Sequence, residues 1–64
     1  MKLAINIDMD NSAFEDDWRF EAGRILKNIF TDQLMRIPNH PECTITLGLY
    51  DKNGNKVGSV AVSP

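Results

Sequence analysis

The strongest constraint on this fold is a hairpin signal in the C-terminal third of the sequence. Two runs rich in β-branched and apolar residues, 44–50 and 57–62, flank the turn-forming segment 51–56. The Asn53-Gly54 pair at its centre is typical of a two-residue type I′ turn, in which both residues adopt positive φ. The sequence therefore predicts two antiparallel strands joined by a tight turn.

Counting outward from a two-residue turn predicts which residues of the two strands face each other. One face pairs Leu49 with Gly58, Leu47 with Val60 and Ile45 with Val62. The opposite face pairs Tyr50 with Val57, Gly48 with Ser59 and Thr46 with Ala61. Because the large aliphatic residues gather on the first face, we expect that face to be buried.

A further strand and a long helix are expected before the hairpin. Residues 2–8 alternate between apolar and small or polar side chains, which predicts a half-buried strand. Apolar residues then recur at steps of three and four, which predicts an amphipathic helix; they are Phe14, Trp18, Ala22, Ile25, Leu26, Ile29, Phe30, Leu34 and Ile37. Its start stays open between a capping box at Ser12 and a cap at Asp16 or Asp17. Its end is expected near Ile37, because Pro38 follows.

These elements predict an α+β fold: a single βαββ domain over residues 1–64, with one helix on a three-stranded sheet and the strand order open. The helix is expected to cover Leu3, Ile5, Ile7, Ile45, Leu47, Leu49, Val60 and Val62. The other face is expected to be bare and to show Ala4, Asn6, Thr44, Thr46, Gly48, Tyr50, Val57, Ser59 and Ala61. Gly23 inside the helix costs about 1 kcal/mol relative to alanine. It predicts either close approach of helix and sheet or a flat surface.

Few residues are suited to catalysis or to binding a metal. The single histidine, His40, and the single cysteine, Cys43, lie in a turn without a third group to orient them. A structural zinc site needs four nitrogen or sulfur ligands. The carboxylates between Asp8 and Glu15 lack the glycine and the closing glutamate of an EF-hand. We expect no enzyme, no catalytic residue, no metal site and no cofactor.

The net charge of −2 is unevenly distributed. Residues 1–21 carry six carboxylates and two basic side chains, for a charge of −4, whereas residues 22–64 carry five basic side chains and three carboxylates, for +2. Nucleic-acid affinity depends on clustered Lys and Arg, so direct binding of nucleic acid is not expected. With no long apolar run, we expect neither a membrane span nor a signal peptide, and a cytosolic location.

Three segments are shared with a known group of proteins. They are the D-N-x-A-F motif within 7–17, the R-I-L motif at 24–26 and the D-x-N-G-N-x-V-G motif at 51–58. In these segments the chain resembles a family of small phage and prophage proteins of unknown function. The resemblance implies an accessory protein in the cytoplasm of a bacterial host and brings no catalytic residues. Such accessory genes often encode inhibitors of host defence or of host enzymes.

Two binding surfaces remain as alternatives for a monomer or homodimer. The leading hypothesis is an anti-CRISPR-like inhibitor that sets an acidic patch against a basic host protein, such as a nucleic-acid-binding complex. The acidic patch comprises Asp8, Asp10, Glu15, Asp16, Asp17 and Glu21. Glu15, Asp16 and Asp17 are expected on solvent. Acidic residues at a helix N-terminus are also favoured by the helix dipole. The alternative is a homo-oligomeric structural or assembly protein that uses the open sheet face, at Asn6, Thr44, Thr46, Tyr50, Val57 and Ser59.

Overall fold

The computed structural model describes residues 1–64 and consists of one α-helix, three strands and short 3-10 and π-helical segments. The strands are β1 (Lys2–Ile7), β2 (Ile45–Tyr50) and β3 (Lys56–Ser63), and the helix is α1 (Trp18–Asn28). The 3-10 segments are Ser12–Phe14 and Leu34–Arg36, and Ile29–Gln33 is π-helical. The sheet is antiparallel in the order β1-β3-β2, which places β3 at its centre. The predicted α+β arrangement with a C-terminal hairpin is confirmed.

The hairpin turn differs from the prediction. Only Gly54 has a positive φ, of 84°. Its N–H donates to the Asp51 carbonyl at 3.1 Å, and the Asp51 N–H donates to the Asn55 carbonyl at 2.9 Å. These bonds define a three-residue loop, Lys52 to Gly54, in which a type I turn is followed by a left-handed glycine. The predicted two-residue type I′ turn is therefore wrong, since it requires positive φ at Asn53 as well.

A β-bulge beside this turn restores the predicted pairing along the rest of the hairpin. Tyr50 pairs with Lys56 and Leu49 with Gly58, so Val57 is the extra residue. The other predicted pairs are confirmed, whereas the pair of Tyr50 with Val57 is wrong. Because a bulge redirects side chains, Val57 lies in the core at 6% exposure and not on the open sheet face as predicted.

The helical region begins in two separate pieces. The Asp17 carboxylate caps α1 by accepting from the Arg19 N–H at 3.1 Å. The preceding 3-10 turn has its own cap, because the Asn11 side chain accepts from the Ala13 N–H at 2.9 Å. One continuous helix from a capping box at Ser12 is therefore wrong, and the cap at Asp17 is the one that forms.

The predicted apolar stripe is only partly buried. The Leu34 N–H donates to the Ile29 carbonyl five residues earlier, and this wider turn displaces the residues that follow from the 3.6-residue period. Phe30 is 74% exposed, and Trp18 and Leu26 are about half exposed, so their predicted places in the core are wrong.

The core lies between α1 and the centre of the sheet. Its members are Ala13, Phe14, Ala22, Ile25, Ile29, Leu49, Val57 and Val60. Val60 on the central strand is fully buried, whereas its pairing partner Ile5 on β1 is 39% exposed and Leu3 is 50% exposed. The predicted helix-facing side of the sheet is thus covered over β3 and left open along β1.

Two glycines differ in what surrounds them. A Cβ at Gly23 would meet no atom within 4 Å, so the predicted close approach of helix and sheet is wrong there. A Cβ at Gly58, next to the bulge, would overlap the backbone carbonyl of Asn6. The tight contact between backbones therefore lies inside the sheet, between β1 and β3.

Candidate protein-binding surface

Asp51 is a buried carboxylate that organises the hairpin turn. One carboxylate oxygen accepts from the backbone N–H groups of Asn53 and Asn55, both at 2.9 Å. The other accepts from the side-chain amide of Asn11 at 2.7 Å. Burial alone would raise the pKa of Asp51, but these hydrogen bonds outweigh burial and lower it. The side chain is therefore held as the anion.

Glu21 is a second buried carboxylate, at 3% exposure. It accepts from Arg24 Nε at 2.7 Å and from the Lys52 N–H at 2.7 Å, while Arg24 Nη2 donates to the Tyr50 carbonyl at 3.3 Å. The hydrogen bond from Arg24 is the largest reason that the pKa of Glu21 is lowered. Glu21 thus joins α1 to the hairpin, and its predicted place in the exposed acidic patch is wrong.

The sequence contains a signal for this burial. Glu21 lies one turn before the buried Ile25, so it shares the core-facing side of α1. A charged residue at such a position needs a partner, and Arg24 three residues later supplies one. The second donor, the Lys52 N–H, comes from a distant turn.

Four carboxylates of the predicted patch are exposed and form no salt bridge: Asp8, Asp10, Glu15 and Asp16, here called the acidic surface. Asp17 is exposed too, but it caps α1 and pairs with Arg19 Nε at 3.2 Å. Asp17 lies on solvent as expected, but charge reversal there would disturb the helix because it removes the cap. The structure therefore leaves four of the six residues exposed and without a salt bridge.

The acidic surface borders two open depressions. Asp8 and Asp10 share one of about 650 Å³ with Lys56. The Asp10 N–H donates to the Asp8 carboxylate at 3.1 Å, and a hydrogen bond and charge repulsion from Asp8 raise the pKa of Asp10. Asp16 lines the other depression, of about 280 Å³, together with Phe20, which is 78% exposed. Negative charge and an exposed aromatic ring therefore lie side by side.

The open sheet face is smaller than predicted. Asn6, Thr44, Thr46 and Tyr50 are exposed and Ser59 is half-buried, whereas Val57 points into the core. A Cβ added at Gly48 would lie 3.2 Å from the Tyr50 hydroxyl, so the tyrosine ring lies across that glycine. Apart from this ring, the face carries small and polar side chains.

Three other features that could indicate function are a metal site, a Cys-His pair and a membrane-spanning helix. No group of three or more His, Cys, Asp or Glu side chains is placed to hold a metal ion. His40 and Cys43 are both exposed, and the His40 ring forms a hydrogen bond with the side chain of Asn39 at 3.4 Å. No helix has the length and hydrophobicity needed to cross a membrane. Comparisons with protein-family profiles, curated proteins and solved structures find no match.

Proposed function

We propose that this protein acts by binding a basic surface on another protein through Asp8, Asp10, Glu15 and Asp16, the acidic surface. The observation that carries the proposal is that these four carboxylates are exposed and form no salt bridge. Concentrated charge of one sign attracts a partner of opposite sign and speeds its association. Exposed aromatic rings such as that of Phe20, beside Asp16, are favourable contact residues in protein interfaces.

The scaffold supports this role because it fixes the segments that carry the acidic surface. The Asp8 N–H donates to the Val57 carbonyl at 2.7 Å, which ties the start of the segment to β3. Asn11 is bound to Asp51, and Asp17 caps α1. A surface held before binding loses less conformational entropy when the complex forms.

The resemblance to small phage proteins directs the proposal toward an inhibitor of host defence in the cytoplasm of a bacterial host. Nucleic-acid channels of CRISPR effector complexes are basic surfaces of the required charge. An acidic protein that occupies such a channel takes the place of phosphates. Inhibition would be stoichiometric, since occlusion needs one rigid surface and no catalytic group.

The test is target-DNA cleavage by a panel of purified CRISPR effector complexes titrated with this protein. One complex is expected to lose cleavage as the protein reaches equimolar concentration. Glu15→Lys should lose that inhibition, whereas Glu42→Lys should keep it. The two substitutions are chemically identical, and both glutamates are exposed and free of salt bridges, but Glu42 lies outside the acidic surface.

Association kinetics separate this surface from the open sheet face. Charges in solution are screened over about 8 Å at physiological ionic strength, so added salt should slow association more than it speeds dissociation. Full inhibition by Glu15→Lys, with loss of inhibition by Thr46→Lys, would transfer the function to the open sheet face. Absence of inhibition across the panel would remove the anti-CRISPR assignment.

A further inference from the structure

The strand β1 has an unpaired edge. It pairs with β3 on one side only. The Asp8 N–H donates to Val57 on that side, and backbone groups alternate in direction along a strand. The N–H and C=O groups of Leu3, Ile5 and Ile7 therefore point away from β3, and no hydrogen bond outside the regular helices and strands involves them.

This edge also lacks the usual protection against pairing with another chain. Edge strands are commonly blocked by proline, by an inward charge or by a bulge, and residues 3–7, Leu-Ala-Ile-Asn-Ile, contain none of these. Leu3 and Ile5 are partly exposed beside it. The opposite edge differs, because β2 contains Gly48, lies opposite the bulge at Val57, and has its last carbonyl accepting from Arg24.

The sequence of this edge is complementary to its own reverse. In residues 1–9, Met-Lys-Leu-Ala-Ile-Asn-Ile-Asp-Met, the ends are both methionine, the next positions carry opposite charges, and aliphatic residues occupy positions three, five and seven. An antiparallel copy centred on Ile5 sets Ile5 against Ile5, Leu3 against Ile7 and Lys2 against Asp8. Unlike charges then meet at both ends of the contact.

We infer that β1 pairs antiparallel with β1 of a second copy of this chain, about a two-fold axis at Ile5, which joins the two sheets into one. In this register the outward groups of Leu3, Ile5 and Ile7 all find partners. If the register shifts by one residue, outward-pointing N–H and C=O groups of one strand face residues whose groups point inward, so no hydrogen bonds form. If it shifts by two, one outward-pointing residue has no partner and Lys2 no longer faces Asp8. A parallel arrangement sets like charges together.

This inference does not depend on the proposed function, and the two are compatible. Pairing engages Asp8 and leaves Asp10, Glu15 and Asp16 exposed on each copy. A two-fold contact is self-complementary, as the palindromic pattern of residues 1–9 requires. The dimer would present two acidic surfaces to its targets.

The test is sedimentation equilibrium of the purified protein at low salt over a range of concentrations. The wild-type chain is expected to form a dimer. Lys2→Glu and Asp8→Lys, each alone, should weaken it about tenfold or more, because two attractive pairs become repulsive at the symmetric contact. The double variant, with both substitutions in one chain, should restore wild-type affinity.

The double variant is decisive because Lys2 and Asp8 of one chain lie about 20 Å apart along an extended strand, too far for direct contact. An equimolar mixture of the two single variants should form a heterodimer. Both substituted side chains are exposed, and unchanged circular dichroism spectra would show that the fold is kept. A wild-type monomer at millimolar concentration would overturn the inference, as would a double variant no better than the single ones or a dimer weakened by Tyr50→Ala alone.

Discussion

The Asn11 side-chain amide donates to the Asp51 carboxylate at 2.7 Å across forty positions of sequence. Asn11 at the same time caps the 3-10 turn through Ala13, and Asp51 orders the hairpin turn. One hydrogen bond therefore joins the D-N-x-A-F segment to the D-x-N-G-N segment. Asn11 and Asp51 thus have a structural role in this fold.

Replacing Asn11 with alanine should lower stability by about 1–2 kcal/mol, because it removes a helical cap together with a hydrogen bond to a buried carboxylate. Urea unfolding followed by circular dichroism measures the loss. Ser12→Ala is the matched control, since the neighbouring Ser12 is exposed and its side chain makes no hydrogen bond. Equal stabilities for the two variants would contradict the role of Asn11.

Gly54→Ala and Asn53→Ala distinguish the turn that forms from the one predicted. Gly54 has a φ of 84°, where a Cβ costs about 1–2 kcal/mol, whereas Asn53 does not have a positive φ. We expect a lower melting temperature for Gly54→Ala and a much smaller change for Asn53→Ala. Similar losses of stability at both positions would instead support the two-residue type I′ turn.

Gly23→Ala and Gly58→Ala should change stability in opposite directions. Alanine at Gly23 meets open space within a helix and should stabilise the protein by about 1 kcal/mol. Alanine at Gly58 overlaps the Asn6 carbonyl and forces β1 away from β3, so it should destabilise. Thermal unfolding of both variants measures the difference. A loss of stability at Gly23 would mean that its bare backbone is packed in solution, against another copy or another chain.

Beyond Tyr50, the sequence predicts the pairing of β2 with β3 correctly, although it predicts the wrong turn. A three-residue loop moves the register by one position, and the bulge at Val57 moves it back, so Leu49 faces Gly58 in either case. The alternation of apolar and polar residues along a strand indicates which residues share a face. It does not indicate a change in turn length when a bulge restores the same register. The burial of Val57 follows from the bulge, which the alternation of residues along the strand does not predict.

For the acidic patch, the sequence predicts correctly which residues are charged but not which of them are buried. Asp8, Asp10, Glu15 and Asp16 are exposed, as charge alone predicts. Glu21 is buried, because the Lys52 N–H reaches it from a turn thirty-one positions away. The position of Glu21 along the helix predicts that it faces the core. The hydrogen-bond donor from the hairpin, which offsets the cost of burying the charge, is known only from the tertiary structure.

Stability should fall at acid pH because of Glu21 and Asp51. Both pKa values are lowered in the folded protein, Glu21 chiefly by its bond from Arg24, and Asp51 by amide hydrogen bonds that outweigh its burial. A group with a lowered pKa binds its proton more weakly when folded, so it stabilises above its unfolded pKa and loses this effect as pH falls. The loss should begin near pH 4.5, the ordinary value for a glutamate, and continue below 3.8, that for an aspartate.

Asp10 has the opposite effect on the pH dependence of stability. Its pKa is raised by Asp8, so protonation relieves repulsion in the folded state and adds stability as pH falls. Urea unfolding between pH 7 and pH 3 measures the combined effect of these groups on the free energy of unfolding. We expect this free energy to fall with pH, because the Glu21 and Asp51 carboxylates each accept several hydrogen bonds. Glu21→Gln should be less stable at pH 7 and show a shallower decline below pH 4.5, and Asp10→Asn should steepen it. A profile for Glu21→Gln parallel to that of the wild-type protein would show that the Arg24 contact does not hold the carboxylate ionised.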